Sequence, residues 1–192
     1  MPQLLSLQIG SARRVGIHGR NVLTAIHKQA AIGQVAVMPL GLAGDEQADL
    51  SVHGGLDKAV YAYPSEHYPF WRQARADAGL AGLDDGLPWG SMGENLSLAG
   101  LLECEVWVGD VLQFAHCALR VTQPREPCYK FNAAMGFSHA SKVMAQQGCC
   151  GFYLAVEVPG MLQAGEVFEL VAGPRRLGIP EMFSAKLFKH LR

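Results

Sequence analysis

The chain has 192 residues, 49% of them hydrophobic, enough for one domain with a substantial core and too apolar for a disordered chain. Sixteen Lys and Arg against seventeen Asp and Glu leave a formal net charge of −1, and with no basic block a nucleic-acid partner is not expected. No apolar run approaches bilayer-spanning length, and the first seven residues lack the basic flank and cleavage pattern of a signal peptide. A cytoplasmic protein with no membrane partner is therefore expected.

In chain order, residues 4–9 are apolar and free of breakers, which predicts a strand. Residues 21–27 and 34–38 repeat the pattern, and Pro39 and Gly41 end it. Residues 41–49 are polar and punctuated by glycine, which predicts a loop running on into 52–59. Residues 60–63 read as a strand, and Pro64-Ser65-Glu66 opens a helix over 66–78 with Pro69 in its first turn. After a loop at 86–90, residues 92–98 read as a turn feeding a short strand. Residues 106–108 and 111–114 read as a hairpin about Gly109-Asp110. Residues 118–122, 152–158 and 167–171 complete the strands. Helices are expected at 138–147, stopped by Gly148, and at 181–191, an amphipathic segment with Phe183, Leu187 and Leu191 on one face.

Eight to ten short strands and three non-alternating helices disfavour a doubly wound parallel sheet. The expected fold is mostly β, a barrel-like and mainly antiparallel sheet with peripheral helices, forming one domain over 1–192 with a core at about 20–172. The sequence leaves open whether the last helix covers an apolar face or joins two chains in a homodimer.

The five cysteines are Cys104, Cys117, Cys128, Cys149 and Cys150. An odd number with no Cys-x-x-Cys pair disfavours a disulfide framework or a structural zinc site. Cys117 lies in a strand pattern, and Cys149 and Cys150 sit between glycines, so all three read as packing residues. Cys128 differs. The run Gln123-Pro-Arg-Glu-Pro-Cys-Tyr-Lys-Phe131 follows a strand, and two prolines make it a stiff, non-helical loop. It holds the thiol between Arg125 and Lys130. Nearby cations favour the thiolate, which is both the nucleophile and the metal ligand; a structural cysteine in an edge loop is the alternative. Polar residues also gather at 44–47, 53–58 and 93–96. Glycines beside His53 and Lys58 would let a ligand approach the backbone closely, although an ordinary Gly-Gly turn has the same spacing. Motifs for nicotinamide, flavin, nucleoside triphosphate or a zinc protease are missing.

The ordered set Gly-Leu-Ala-Gly-Asp-Glu-Gln (41–47), Val-His-Gly-Gly-Leu-Asp-Lys-Ala (52–59), Tyr-Pro-Ser-Glu-His-Tyr-Pro-Phe-Trp (63–71), Gly-Glu-Asn-Leu (93–96), Gly-Asp (109–110) and Gln-Pro-Arg-Glu-Pro-Cys-Tyr-Lys (123–130) resembles the MOSC domain family, in its YiiM-like branch. The resemblance implies a β-barrel-like fold that binds the molybdenum cofactor, a pterin dithiolene carrying Mo, with Cys128 as metal ligand and catalytic residue. It makes Arg125 and Lys130 charge partners of the cofactor, and His53, Gly54, Lys58, Glu94 and Asn95 its further contacts. Two departures stand out. Met92 occupies a position where an aromatic residue is expected, and only 181–192 remain where YiiM-like chains often continue into a helical domain.

The function so implied is reduction of N-hydroxylated compounds, such as N-hydroxylated purine base analogues, in detoxification. With no flavin or iron–sulfur motif, the electrons would come from a separate reductase. The alternative implied by the same motif is a cofactor carrier or a sulfur-transfer module using a Cys128 persulfide.

Overall fold

The computed structural model describes residues 1–17, 19–48, 54–80 and 87–189. Its elements in chain order are β1 (Gln3–Ile9), β2 (Arg13–Ile17), β3 (Arg20–Thr24), β4 (Gln29–Ala30), β5 (Val35–Met38), β6 (Gly41–Leu42), β7 (Val60–Pro64), α1 (Tyr68–Asp77), β8 (Leu96–Ala99), β9 (Val111–Gln113), β10 (Ala118–Pro124), α2 (Tyr129–Met135), α3 (Ala140–Gln147), β11 (Phe152–Val158), β12 (Gly160–Leu162), β13 (Glu169–Val171) and α4 (Ile179–Lys189). Eight strands form one sheet in the order β13-β9-β10-β11-β7-β8-β1-β4. Every pairing in it is antiparallel except β7 with β8. Strands β12, β5 and β6 make a second small sheet, and β2 and β3 pair only with each other.

The mostly β, mainly antiparallel expectation holds, but the strand ladders do not close into a barrel. The edges are β13 and β4. The sheet curls instead, and the start of β1 meets the segment before β13. Gln3 bridges Val167, Leu4 N–H donates to Glu166 O at 2.8 Å, and Gly165 N–H donates to Leu4 O at 2.7 Å. These bonds satisfy backbone groups that an open edge would expose.

All five residues of β7 are buried. A strand covered on both faces reads as an unbroken apolar run, as Val-Tyr-Ala-Tyr does. It lies between β11 and β8, and around it pack Trp71, Tyr68, Phe131 and Phe152, all fully buried. Trp71 Nε1 donates to Tyr63 Oη at 2.6 Å, so the buried polar tips of these rings are paired. Met92 is also fully buried; an apolar side chain still fills the position where an aromatic residue was expected.

Three local expectations need correction. Residues 106–108 are not one arm of a hairpin: Val108 N–H donates to Leu177 O and Ile179 N–H to Val106 O, so this run pairs with the chain entering α4. The loop 123–131 gives way to helix at Tyr129, because proline restricts itself and the residue before it and nothing after Cys128 is so restrained. The strand β2 was not expected, because in Arg-Arg-Val-Gly-Ile only Val15 and Ile17 are apolar and two arginines and a glycine fill the rest. The helices expected at 66–78, 138–147 and 181–191 appear as α1, α3 and α4 with shifted ends, and Pro69 does sit in the first turn of α1. Among the described residues no helix is long and apolar enough to cross a membrane.

Gly151 makes a close approach that only glycine allows. Its φ is +62°, and a Cβ there would lie 2.4 Å from Ala62 O and 2.9 Å from the Tyr61 and Tyr63 rings. Gly151→Ala is expected to lower unfolding stability by about 2–4 kcal/mol, measured by urea denaturation against the wild type.

Candidate functional site

The cleft beside Cys128 encloses about 100 Å³. Its walls come from the strap Thr24–Lys28, the loop Asp45–Ala48, Lys58, Ala59 and Tyr61, the turn at Gly93 and Asn95, the segment carrying Arg125, Cys128 and Lys130, and Tyr153 of β11. All four polar loops singled out in the sequence thus contribute to one cleft. The strap at residues 24–28 was not anticipated, because residues 21–27 read as a plain strand. Tyr61 and Tyr153 were hidden inside strand patterns. Thr24, Lys28 and the two tyrosines carry no local signal that distinguishes them from core or surface residues.

Lys58, Asn95, Arg125, Cys128 and Lys130 line the cleft. Gly54 does not, but its neighbour Gly55 donates its N–H to Gln47 Oε1 at 2.9 Å, which ties that loop to the cleft wall. His53 lies outside the described residues. Glu94 is fully buried and does not line the cleft. Its carboxylate accepts hydrogen bonds from Tyr68 Oη, from Gly90 N–H at 2.7 Å, from Met92 N–H at 3.1 Å and from Ser97 Oγ at 2.8 Å. It therefore shapes the turn that presents Asn95.

Asn95 is itself fully engaged. Its Oδ1 accepts from Tyr61 N–H at 3.1 Å, and its Nδ2 donates to Gln8 O at 3.1 Å and to Asp45 Oδ2 at 2.8 Å. The other Asp45 oxygen accepts from Gly10 N–H at 2.8 Å and pairs with Lys28 Nζ at 2.5 Å. A saturated polar network of this kind rigidifies one wall.

Three further cations, Arg125, Lys58 and Lys130, line the cleft. The Arg125 residue is only 6% exposed. Its Nη1 donates to Met92 O at 3.0 Å, and its guanidinium carbon lies 4.8 Å from the Phe131 ring centroid and 5.2 Å from that of Tyr61. Burial works against the charge, but the neighbouring Tyr61, Tyr153 and Cys128 side chains outweigh it and hold the pKa above the ordinary arginine value. Among the described residues Arg125 forms no ion pair with a carboxylate. Lys58 Nζ lies 5.7 Å from the Tyr153 ring centroid. Burial lowers its pKa, Lys186 lowers it further, and Glu126 pulls the other way. Lys130 Nζ donates to Leu23 O at 3.0 Å.

A second cleft, of about 450 Å³, lies on the other side of the strap. Ile26 and Lys28 line both clefts, and Arg13, His27, Trp89 and Gly90 line the second.

The cysteines separate as expected. Burial pushes Cys117 and Cys149 up to about 12 and Cys150 well above its ordinary value, so these three are protonated packing residues. Cys128 is half-buried and Cys104 exposed. Among the described residues no three His, Cys, Asp or Glu side chains are placed to hold a metal ion. The chain offers one soft sulfur beside cations, not a complete ligand cage.

The MOSC domain model matches residues 49–169. The chain is 36% identical over 187 residues to the uncharacterized protein YflK of Bacillus subtilis, covering 97% of this chain and 80% of that one. It is 39% identical over 150 residues to protein YiiM of Escherichia coli, covering 78% of this chain and 64% of YiiM. It is 31% identical over 172 residues to a Gibberella moniliformis protein named reductase, covering 89% of this chain and 29% of the fungal protein. The crystal structure of YiiM from Geobacillus stearothermophilus superimposes with a TM-score of 0.78 at 28% identity, covering 100% of this chain and 87% of that one.

Native-state alkylation followed by peptide mass mapping checks the thiol assignment. Cys104 and Cys128 are expected to be labelled, with Cys117, Cys149 and Cys150 protected until denaturant is added.

Proposed function

The chain belongs to the MOSC domain family, on its YiiM-like branch, and from that premise we propose that it is a molybdenum-cofactor-dependent reductase of N-hydroxylated compounds, N-hydroxylated purine bases among them. The observation that carries the reading is the meeting of Cys128 with the buried Arg125 in one cleft, flanked by Lys58 and Lys130. MOSC domains are associated with binding of the molybdenum cofactor, and a relative bears the name reductase.

The donor set fits that group. A thiolate is a soft ligand suited to a sulfur-rich metal site. A chain offering one such thiolate suits a metal that arrives with its other ligands on a dithiolene. A buried guanidinium that forms no ion pair with a carboxylate among the described residues favours an incoming anion, and Lys58 and Lys130 add further positive charge for a phosphate. When bound, the cofactor supplies two-electron redox chemistry.

Each residue then has a physical task. Cys128 Sγ would hold the metal. Arg125, clamped between Tyr61 and Phe131, keeps positive charge beside that sulfur. Lys58 and Lys130 would meet the cofactor's anionic end. The bonded set Asn95, Asp45 and Lys28 keeps part of the lining fixed, which preorganises the cleft. The net reaction takes R–NHOH, two electrons and two protons to R–NH₂ and water, breaking the N–O bond. In this reading a separate reductase supplies the electrons, and residues 1–192 themselves carry no flavin, nicotinamide or iron–sulfur motif.

The test is molybdenum and pterin content after expression in a molybdenum-replete host, wild type beside Cys128→Ala, followed by turnover of N-hydroxylaminopurine with a competent reductant. Stoichiometric cofactor and turnover are expected in the wild type, with molybdenum and turnover lost in a folded Cys128→Ala. A loaded wild type that leaves N-hydroxylated substrates untouched overturns the reductase reading. A persulfide mass on Cys128 with stoichiometric sulfur handover would replace it by sulfur transfer.

A further inference from the structure

Charge is distributed very unevenly along this nearly neutral chain. Residues 1–44 carry Arg13, Arg14, Arg20 and Lys28 and no Asp or Glu, a charge of +4; the remainder holds twelve Lys and Arg and all seventeen acids, a charge of −5. No contiguous run of basic residues marks this asymmetry. The fold concentrates it, because three of the four cations lie on β2 and β3.

These two strands form a ribbon that, among the described residues, pairs with no other sheet. Arg13, Arg14 and Arg20 are all exposed, and among the described residues none of them forms an ion pair. The fourth cation, Lys28, is already paired with Asp45. The base of the ribbon borders both clefts. In the strand register Arg13 stands opposite Thr24; Thr24 lines the Cys128 cleft and Arg13 lines the second. Leu23 O, on the ribbon, accepts the hydrogen bond from Lys130. An exposed positive ribbon thus rises directly beside the candidate redox centre.

We propose that the β2–β3 ribbon is the docking surface for an acidic, flavin-carrying electron-donor protein. The inference rests on the reductase reading, which needs two electrons per N–O bond cleaved. A reduced flavin supplies two electrons and two protons and is left as oxidised flavin, which balances R–NHOH going to R–NH₂ and water. Transient redox partners bury little area, so electrostatic steering sets their rate of encounter. A compact acidic patch can engage the ribbon alone. A nucleic acid, with its charge spread along its length, would also meet the surface of the remaining chain at −5, which disfavours that partner.

The probe is an acidic flavodoxin-type flavoprotein, with its binding to the full chain measured by titration calorimetry at about 20 mM and about 300 mM salt. Binding by the wild type is expected to weaken at least ~10-fold at the higher salt, and Arg14→Glu/Arg20→Glu to weaken it by at least ~10-fold at the lower salt. Turnover driven by chemically reduced methyl viologen, which needs no docking, is expected to be unchanged in that variant. If the double reversal fails to fold by circular dichroism, Arg14→Gln/Arg20→Gln is read in the same way with a smaller loss. Absent binding, salt-insensitive binding, or equal binding by wild type and folded variant overturns the docking surface. So does tighter, ribbon-dependent binding of a single-stranded oligonucleotide. Failure of viologen-driven turnover with intact, salt-sensitive docking counts instead against the reductase reading.

Discussion

The buried charge of Arg125 is the constraint on which the site depends. Removing a guanidinium from water costs several kcal/mol even after relaxation. Two ring contacts and a hydrogen bond to Met92 O return about 1–2 kcal/mol per desolvated ring contact and about 1.5–3 kcal/mol for the charged hydrogen bond. The two sides come out close to balance. A residue placed at such a balance is not there to stabilise the fold. It keeps a positive field beside Cys128 where burial limits screening by water, and that field increases the advantage of any anion that enters the cleft.

The same residue explains why the site sits where it does. Tyr61 belongs to β7, the strand buried on both faces, Phe131 to the helix that begins just after Cys128, and Met92 to the turn shaped by Glu94. The guanidinium therefore links the middle of the sheet to the loop with the thiol. Glu94 contributes at one remove. By accepting four hydrogen bonds it fixes the turn whose carbonyl holds Arg125 and whose next residue, Asn95, reaches Asp45. Its place in the Gly-Glu-Asn-Leu motif suits a buried frame as well as a ligand contact, and sequence spacing does not separate the two roles.

The sequence exposed those parts of this arrangement that have local chemistry. The strands near 4–9, 118–122 and 152–158 announce themselves by apolar content, and Cys128, Arg125 and Lys130 by their crowding around Pro124 and Pro127. What stayed hidden needs tertiary information. The run 106–108 has strand-like residues, but its partner lies beyond β13, and no local rule names that partner. The start of α2 was masked because the prolines dominate the reading of a segment whose restraint ends one residue before the helix. Lys28 and Asp45 are unremarkable apart; only folding makes them a buried pair bonded to Asn95. The ribbon's arginines read as ordinary surface charge until the lack of any acid before Asp45 is set beside their place at the cleft.

Both ends of the described chain converge on this cleft. From the N-terminal side, Gln8 O and Gly10 N–H of the β1 region bond to Asn95 and Asp45, so the first strand of the sheet also sets one wall. From the C-terminal side, α4 is held in the core by Ile179 and Phe183. Its Lys186 Nζ reaches Gln123 Oε1 at 2.8 Å and Glu126 Oε1 at 2.5 Å, on the segment that leads to Cys128. That contact braces the thiol-bearing loop from behind and places a second cation near Lys58, which is one reason the Lys58 pKa falls. The helix is thus coupled to the cleft by charge as well as by packing, and a change in the seat of α4 would reach Cys128 through Glu126.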